Sequence, residues 1–304
     1  MNAQIRLALS VQEALRTGVA VVALESSVFA HGLPSPANRE AAARMAKAVR
    51  DRGATPAVTA VVRGLATAGL TDEELERFLG AGGRGMAKVS SRDLAPALAA
   101  GRDGATTVAG AVAIAAMAGL SVVATGGIGG VHREPSFDES ADLVELARSR
   151  VVVVCSGPKS VLDVRATAER LETLGVPVLG YRSHEMPAFF SSESGVDVPE
   201  RVETPGEVAA VFRAQRALGR PQSVVVMQQP PASAALGRAE AERAVTEALD
   251  AARVAGVRGA GVTPVLLSAV DRATGGRSRE VNLALLEANA SLAAEIAVAM
   301  REGR

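Results

Sequence analysis

The sequence predicts an α/β chain, a single large layered α/β/α domain over residues 1–304 around a mostly parallel sheet, with a ligand crevice at the carboxyl ends of the strands. Three observations predict it. Short Val/Ile/Leu/Ala runs alternate with longer amphipathic or alanine-rich runs, the pattern of strands separated by helices. No composition shift or low-complexity linker divides the 304 residues, and one chain of this length can bury a large core. Polar clusters follow the apolar runs directly, where open parallel sheets bind their ligands.

Taken in order, the first predicted strand, 19–24, runs into Glu25-Ser26-Ser27, and a helix follows over 36–52. The strand 57–62, the helix 72–79 and the strand 86–89 come next, the last running into Ser90-Ser91-Arg92-Asp93. Residues 104–131 carry no charged side chain and are long enough to span a bilayer. Glycines break that stretch into a helix-like piece, 106–118, and a strand-like piece, 121–124, so a buried helix feeding a buried parallel strand explains it better. The strand 121–124 enters a turn with glycine at 126, 127, 129 and 130, then His132, Arg133, Asp138, Ser140 and Asp142. Glycine lets a backbone approach a ligand closely because it has no Cβ. A helix is predicted over 139–148, a strand over 151–155 ending in Ser-Gly-Pro-Lys, and a helix over 158–174. Strands at 177–179 and 223–227 and helices at 205–218, 239–255 and 280–301 complete the pattern. The polar loop at 191–199 is too short to be a linker.

Composition excludes several functions. Lys and Arg total 33 against 33 Asp and Glu, which removes the electrostatic case for a nucleic-acid polymer. One tyrosine, six phenylalanines and no tryptophan leave few surfaces for stacking bases. The single cysteine, Cys155, excludes an internal disulfide, and the N-terminus shows no basic region leading into an apolar core; a cytoplasmic protein is expected. The glycine turn has His132 where a dinucleotide fingerprint needs its third glycine. No Gly-Lys pair marks a P-loop, and His184-Glu185 lacks the second histidine of a zinc helix.

The remaining chemistry points to an enzyme acting on a small phosphorylated molecule. In the predicted helix 158–174, Ser156 is the expected N-cap and Pro158 suits the first position, placing Lys159 in the first turn. The helix dipole disfavours a cation there, and a neutral amine attacks carbonyl-like carbon to form an imine. The plainer reading is a surface lysine paired with Asp163. Glu25, directly after a strand, is either a charge reaching solvent or a partly buried acid with a raised pKa. Lys88 beside two serines and Arg92 suits a phosphate, or else a solvated loop. Asp138, Ser140 and Asp142 suit a divalent cation held by carboxylates and water, or else helix capping with Asp138 as N-cap.

Together these segments resemble the pseudouridine-5′-phosphate glycosidase family, which includes indigoidine synthase A-like proteins. The matching stretches are Val-Val-Ala-Leu-Glu-Ser-Ser (21–27), His-Gly-Leu-Pro (31–34), Lys-Val-Ser-Ser-Arg-Asp-Leu (88–94) and Gly-Ala-Thr-Thr-Val (104–108). Thr-Gly-Gly-Ile-Gly-Gly-Val-His-Arg (125–133), Phe-Asp-Glu-Ser-Ala-Asp-Leu (137–143), Lys-Ser-Val-Leu-Asp (159–163), Thr-Pro-Val-Leu-Leu (263–267) and Asn282 extend the match.

The resemblance implies reversible cleavage of pseudouridine 5′-phosphate with water to uracil and ribose 5-phosphate. It implies Lys159 as nucleophile, through an imine with ring-opened ribose, and Glu25 as proton donor. Lys88, the Val108 backbone and Ser140, Ala141 and Asp142 would bind substrate, and His132 and Asn282 would face the uracil. Asp138 would hold one manganese ion per subunit, with magnesium or another divalent ion as alternatives, and a homotrimer is implied. The competing readings are another Schiff-base lyase or aldolase on a sugar phosphate, and a non-catalytic sugar-phosphate-binding protein. The chain departs from the family in a 132–138 segment about two residues short, in Gly-Pro before Lys159, and in Ser91 where some members carry arginine.

Overall fold

A computed structural model describes residues 5–80, 86–133, 137–254 and 262–302. β1 (Ile5–Leu7) and α1 (Leu9–Thr17) precede β2 (Ala20–Leu24), a π-helical turn (Val28–Gly32) and α2 (Ala37–Asp51). β3 (Ala54–Val62) and β4 (Leu65–Ala68) form an antiparallel hairpin. Its two-residue turn, Arg63-Gly64, has positive φ at both positions, the geometry that matches strand twist. α3 (Asp72–Gly80), β5 (Ala87–Val89), a 3₁₀ turn (Ser91–Asp93), α4 (Leu94–Ala99) and β6 (Gly104–Thr106) follow. Next come α5 (Val108–Met117), β7 (Val122–Ala124), β8 (Val131–His132) and α6 (Ala141–Leu146). The chain continues through β9 (Val152–Cys155), β10 (Leu162–Asp163), α7 (Val164–Thr173), β11 (Val178–Tyr181), β12 (Glu200–Val202), α8 (Pro205–Ala217) and β13 (Val224–Gln228). It ends in α9 (Arg238–Val254), α10 (Val262–Ala273) and α11 (Arg277–Glu302).

The strands form one large sheet in the order β1-β4-β3-β2-β7-β9-β13-β11-β12, with β6 against β3 and β5 against β6. From β3 to β12 every neighbouring pair is parallel. β2, β7 and β9 are buried at every residue, which is why they read as continuous apolar runs. Their side chains alternate between two cores: Val22, Leu24, Val152 and Val154 face one, and Val21, Ala23, Val153 and Cys155 the other. The layered α/β architecture expected from the sequence is the one observed.

α11 closes the first core by packing on α2, β2, β7 and β9. By length and hydropathy it could cross a membrane, yet Val281, Leu285, Leu286, Ala293 and Ile296 are all fully buried within the protein. The uncharged stretch 104–131 is likewise interior except at Met117 and Gly119, which end α5 at the surface, and it forms β6, α5, β7 and the glycine turn. The sequence predicts no helix at α1 or α10, and it hides the short strands β1, β4, β6 and β12, whose three or four residues are too few to show a period of two. Residue 255 of the predicted helix 239–255, and 134–136 of the shortened segment, lie outside the described residues.

Candidate active site

The strand order reverses between β2 and β7: β3 follows β2 on one side, whereas β7, β9 and β13 succeed one another on the other. Loops leaving such a pair diverge and open a crevice at their carboxyl ends. Glu25 and Thr125 are the first residues past these two strands, and they meet across the gap. Thr125 Oγ1 donates to Glu25 Oε1 at 2.5 Å, and Ser27 Oγ donates to Oε2 at 3.1 Å. Glu25 is 2% exposed, so of the two readings open to it, the buried acid is the one realised. Its backbone is set by a cluster of buried hydroxyls. Ser26 Oγ donates to the Thr59 carbonyl at 2.7 Å, and Thr59 and Thr106 hydroxyls pair at 2.9 Å, tying the ends of β2 and β6 to the interior of β3.

Lys159 sits elsewhere than the sequence suggests. Helix α7 begins at Val164, with Asp163 as N-cap accepting from the Ala166 N–H at 2.9 Å. Ser156 therefore caps no helix, and Asp163 is not a counterion for Lys159. The expected helix-dipole effect on the lysine falls away. Instead Gly157 turns with φ +80°, and the chain runs back alongside the glycine turn. Ile128 N–H donates to the Gly157 carbonyl at 3.1 Å and Lys159 N–H to the Ile128 carbonyl at 3.0 Å. β10 then pairs antiparallel with β8. The helical reading of 158–163 fails because these long-range main-chain bonds outcompete a local helical turn. Lys159 is half-buried, held by backbone alone.

The glycine turn is packed too tightly for other residues. A Cβ on Gly129 would lie 2.7 Å from Asp142 Oδ2 and closer still to the Ser140 side chain. Asp142 is the clamp: Oδ2 accepts from Gly129 N–H at 2.7 Å and Oδ1 from Ala109 N–H at 2.8 Å. It is 4% exposed and joins the glycine turn to the first turn of α5. Ala109 and Gly110 N–H are thus taken, by Asp142 and Thr107 Oγ1, whereas Val108 N–H stands at the same helix start. Helix α6 begins at Ala141 with Ser140 as N-cap, so Asp138 does not serve as the cap.

Lys88 brings the separate loops into one electrostatic unit. The residue is exposed, but desolvation at its ammonium end holds its pKa below the ordinary 10.5, and the Lys159 charge lowers it further. Glu25 and Asp142 act in the opposite direction. Lys88 of β5 thus lies within Coulombic reach of Glu25 past β2, Lys159 past β9 and Asp142 of α6. Cys155, on β9, is pushed up to about 12 by burial and is a packed core thiol.

Two asparagines of α11 approach this space. Asn289, which the sequence analysis missed, donates to the Thr125 carbonyl at 2.9 Å and to Ser156 Oγ at 3.1 Å. It bridges the ends of β7 and β9; its partners lie more than a hundred residues away, so no local signal could reveal it. Asn282 lies beside Gly126, where a Cβ would come within 3.5 Å of its Oδ1. It lines a cavity of about 250 Å3 with His31, Phe190 and Asp271. His132 is not part of that lining; it pairs with Leu162 in the two-stranded β8–β10 ribbon, its N–H donating to the Asp138 carbonyl at 2.9 Å. Asp138 is exposed, and among the described residues no cluster of three or more histidine, cysteine or acidic side chains is placed to chelate a metal.

Comparison with known proteins shows the family and the fold. The family model described as indigoidine synthase A like protein matches residues 10–299. A pseudouridine-5′-phosphate glycosidase of Gemmatimonas aurantiaca is 56% identical, covering 97% of this chain and 95% of the relative. Another from Herpetosiphon aurantiacus is 51% identical, covering 97% of each. Among solved structures, the prealnumycin C-glycosynthase AlnA in complex with ribulose 5-phosphate superposes with a TM-score of 0.91 at 38% identity, covering 100% of this chain and 99% of that one.

Proposed function

The chain belongs to the indigoidine synthase A-like family, and from that premise we propose that it is a pseudouridine-5′-phosphate glycosidase. The observation that carries this reading is the convergence of one buried acid, Glu25, and two lysines, Lys88 and Lys159, at the β2–β7 switch point. A carbon–carbon glycosidic bond has no leaving oxygen for a carboxylic acid to protonate, so a paired-carboxylate mechanism does not serve. An amine beside a proton donor does.

In this mechanism Glu25 gives its proton to the ribose ring oxygen as the ring opens, and Lys159 Nζ bonds to C1′. The ammonium formed at Nζ returns a proton to Glu25, which frees the nitrogen lone pair. The C1′–C5 bond then breaks as that lone pair forms the C1′=N imine, and the bond's electron pair stays on uracil C5, which takes the proton back from Glu25. Water hydrolyses the imine, releasing ribose 5-phosphate and restoring the amine. Thr125 and Ser27 keep the Glu25 carboxyl aimed into the crevice. The phosphate would take the Lys88 ammonium, the Val108 N–H at the start of α5 and the Ser140 hydroxyl. Asp142 acts there by positioning, since both its oxygens already hold backbone. Asn282 would meet the base, and His132 borders the Lys159 segment.

For the metal, a single exposed carboxylate fits an ion that keeps most of its waters and does not fit a protein cage. Asp138 would hold manganese or magnesium in that way, and the ion would supply positive charge and ordered water. A homotrimer in the cytoplasm belongs to the same reading, and sizing chromatography tests the assembly. The deciding experiment incubates the protein with pseudouridine 5′-phosphate and manganese, with and without borohydride, followed by product analysis and intact mass. Uracil release with a ribose-phosphate adduct on Lys159 supports the reading. A ribose-chain cleavage product supports a sugar-phosphate aldolase, and tight binding without turnover a non-catalytic binding protein.

A further inference from the structure

The cavity beside the crevice holds three polar atoms with no hydrogen-bond partner among the described residues: His31 Nδ1, Asp271 Oδ1 and Asn282 Oδ1. Buried polar atoms are normally paired, and each one left unmade costs free energy, so three around one space mark a place where a ligand completes them. Their chemistry is one-sided. His31 Nε2 lies 3.1 Å from the Met86 carbonyl, which can only accept, so Nε2 carries the hydrogen and Nδ1 presents a lone pair. Burial, with a smaller contribution from the nearby Lys88 charge, holds the imidazole below its ordinary pKa and therefore neutral. Asp271 gives one oxygen to Arg279 at 3.2 Å and keeps the other unpaired. Phe190, Leu33 and Leu267 supply the apolar walls. A cavity rich in acceptors between apolar walls suits a small planar ring that offers N–H groups.

Resting on the function proposed above, in which Asn282 of this cavity meets the base, we propose that His31 Nδ1 accepts a ring N–H from that base, making His31 a base-reading residue. The contact bears on specificity. A uracil joined to ribose through C5 presents two ring N–H groups, at N1 and N3; one joined through N1 presents a single one. A site built to accept from an N–H rejects the analogue lacking it far more strongly than an apolar pocket rejects a missing methyl group.

Titration calorimetry of the full chain with uracil, 1-methyluracil and 3-methyluracil reads this contact without turnover. One of the methylated rings binds about 10-fold or more weakly than uracil, the factor set by an unpaired N–H acceptor. In His31→Phe, which keeps a planar ring but no acceptor, uracil binding falls by a similar factor and the gap to that methylated ring closes; His31→Gln, which retains an acceptor, recovers most of the affinity. In the synthetic direction His31→Phe raises the KM for uracil while the KM for ribose 5-phosphate stays within about twofold, a split that a merely structural role does not produce. Three uracils bound alike by the unaltered protein, or both KM values rising together in His31→Phe, overturns the proposal. The first of these comparisons needs no variant to fold. Uracil bound with the expected pattern by a protein that neither cleaves nor makes pseudouridine 5′-phosphate defeats the glycosidase reading and leaves the His31 contact standing. Turnover with three uracils bound alike does the reverse.

Discussion

Asn282 and Asn289 lie seven residues apart on α11, on one face of one helix, and their surroundings differ completely. Asn289 is fully buried and spends its amide on the protein: Thr125, Gly126 and Ser156 all receive its hydrogens. Asn282 is 6% exposed, and its Oδ1 has no partner among the described residues. The crevice divides the same way. Its floor, from Glu25 through Thr125 and Asp142, is saturated with internal hydrogen bonds, whereas the adjoining cavity leaves acceptors open. Saturation marks the groups that hold the site's shape, Glu25 being both held and reactive, and vacancy marks the groups of the cavity that meet a ligand.

Substitutions test that division, beginning with the largest effect. Lys159→Ala removes the nucleophile and is expected to abolish uracil release, a loss of about 10⁴-fold or more in kcat, together with the borohydride-trapped adduct seen by mass. Glu25→Gln keeps the shape of the side chain but removes the transferable proton, and kcat is expected to fall about 10²–10⁴-fold with little change in thermal unfolding. Retained kcat in Glu25→Gln breaks the assignment of the proton donor.

The asparagine pair sharpens the contrast through stability. Asn289→Ala leaves the Thr125 carbonyl and the Ser156 hydroxyl without their asparagine partner, while the Gly126 carbonyl keeps the Ser156 N–H, and is expected to cost about 1–3 kcal/mol in denaturant unfolding. Asn282→Ala removes a group that is already unpaired, so stability is expected to hold or rise while the KM for the substrate increases. Equal destabilisation by both variants erases the distinction.

The smallest expected effect is a pH dependence. Lys88 must be charged to hold a phosphate, and its pKa lies below the ordinary 10.5 in the free protein. Below that lowered pKa the ammonium is present and phosphate binding is complete; as pH rises through it the charge is lost and KM climbs. The rise therefore comes earlier than an ordinary lysine gives, and Lys88→Gln flattens it. For stability the sign is opposite: the unfolded chain binds the proton more tightly between the two pKa values, so folding gains slightly as pH rises through that window.

Much of the fold was legible because the buried strands are continuous apolar runs and the helices between them are amphipathic or alanine-rich. The strand ends were legible too, and Glu25 and Lys159 were picked out by their position after those runs, Lys88 by lying in a short run beside two serines and Arg92, and Asp142 by its place in an acidic cluster at a helix start. What failed was local reasoning at Lys159. Ser156 and Pro158 are good helix starters in isolation, but Ile128, some thirty residues earlier in sequence, pairs with this segment and makes it strand-like. Asp138 failed as a cap for a similar reason: Ser140, two residues on, takes that role when the 131–139 bridge forms. His31 stood only inside the matching stretch 31–34 with no role attached, and Asn289 gave no signal, since a histidine before a glycine and an asparagine among alanines acquire their meaning only from residues far along the chain.

The way Lys159 is held has a consequence for what this scaffold could become. Its position is fixed by amide groups of the Gly157 and Ile128 segments, with no contact through its own side chain required. The pedestal is thus indifferent to the residue it displays. A cysteine or serine at 159 would be presented on the same main-chain scaffold, beside the same buried acid and the same helix start. Evolution or an engineer could exchange the reacting atom and inherit the rest of the cleft intact.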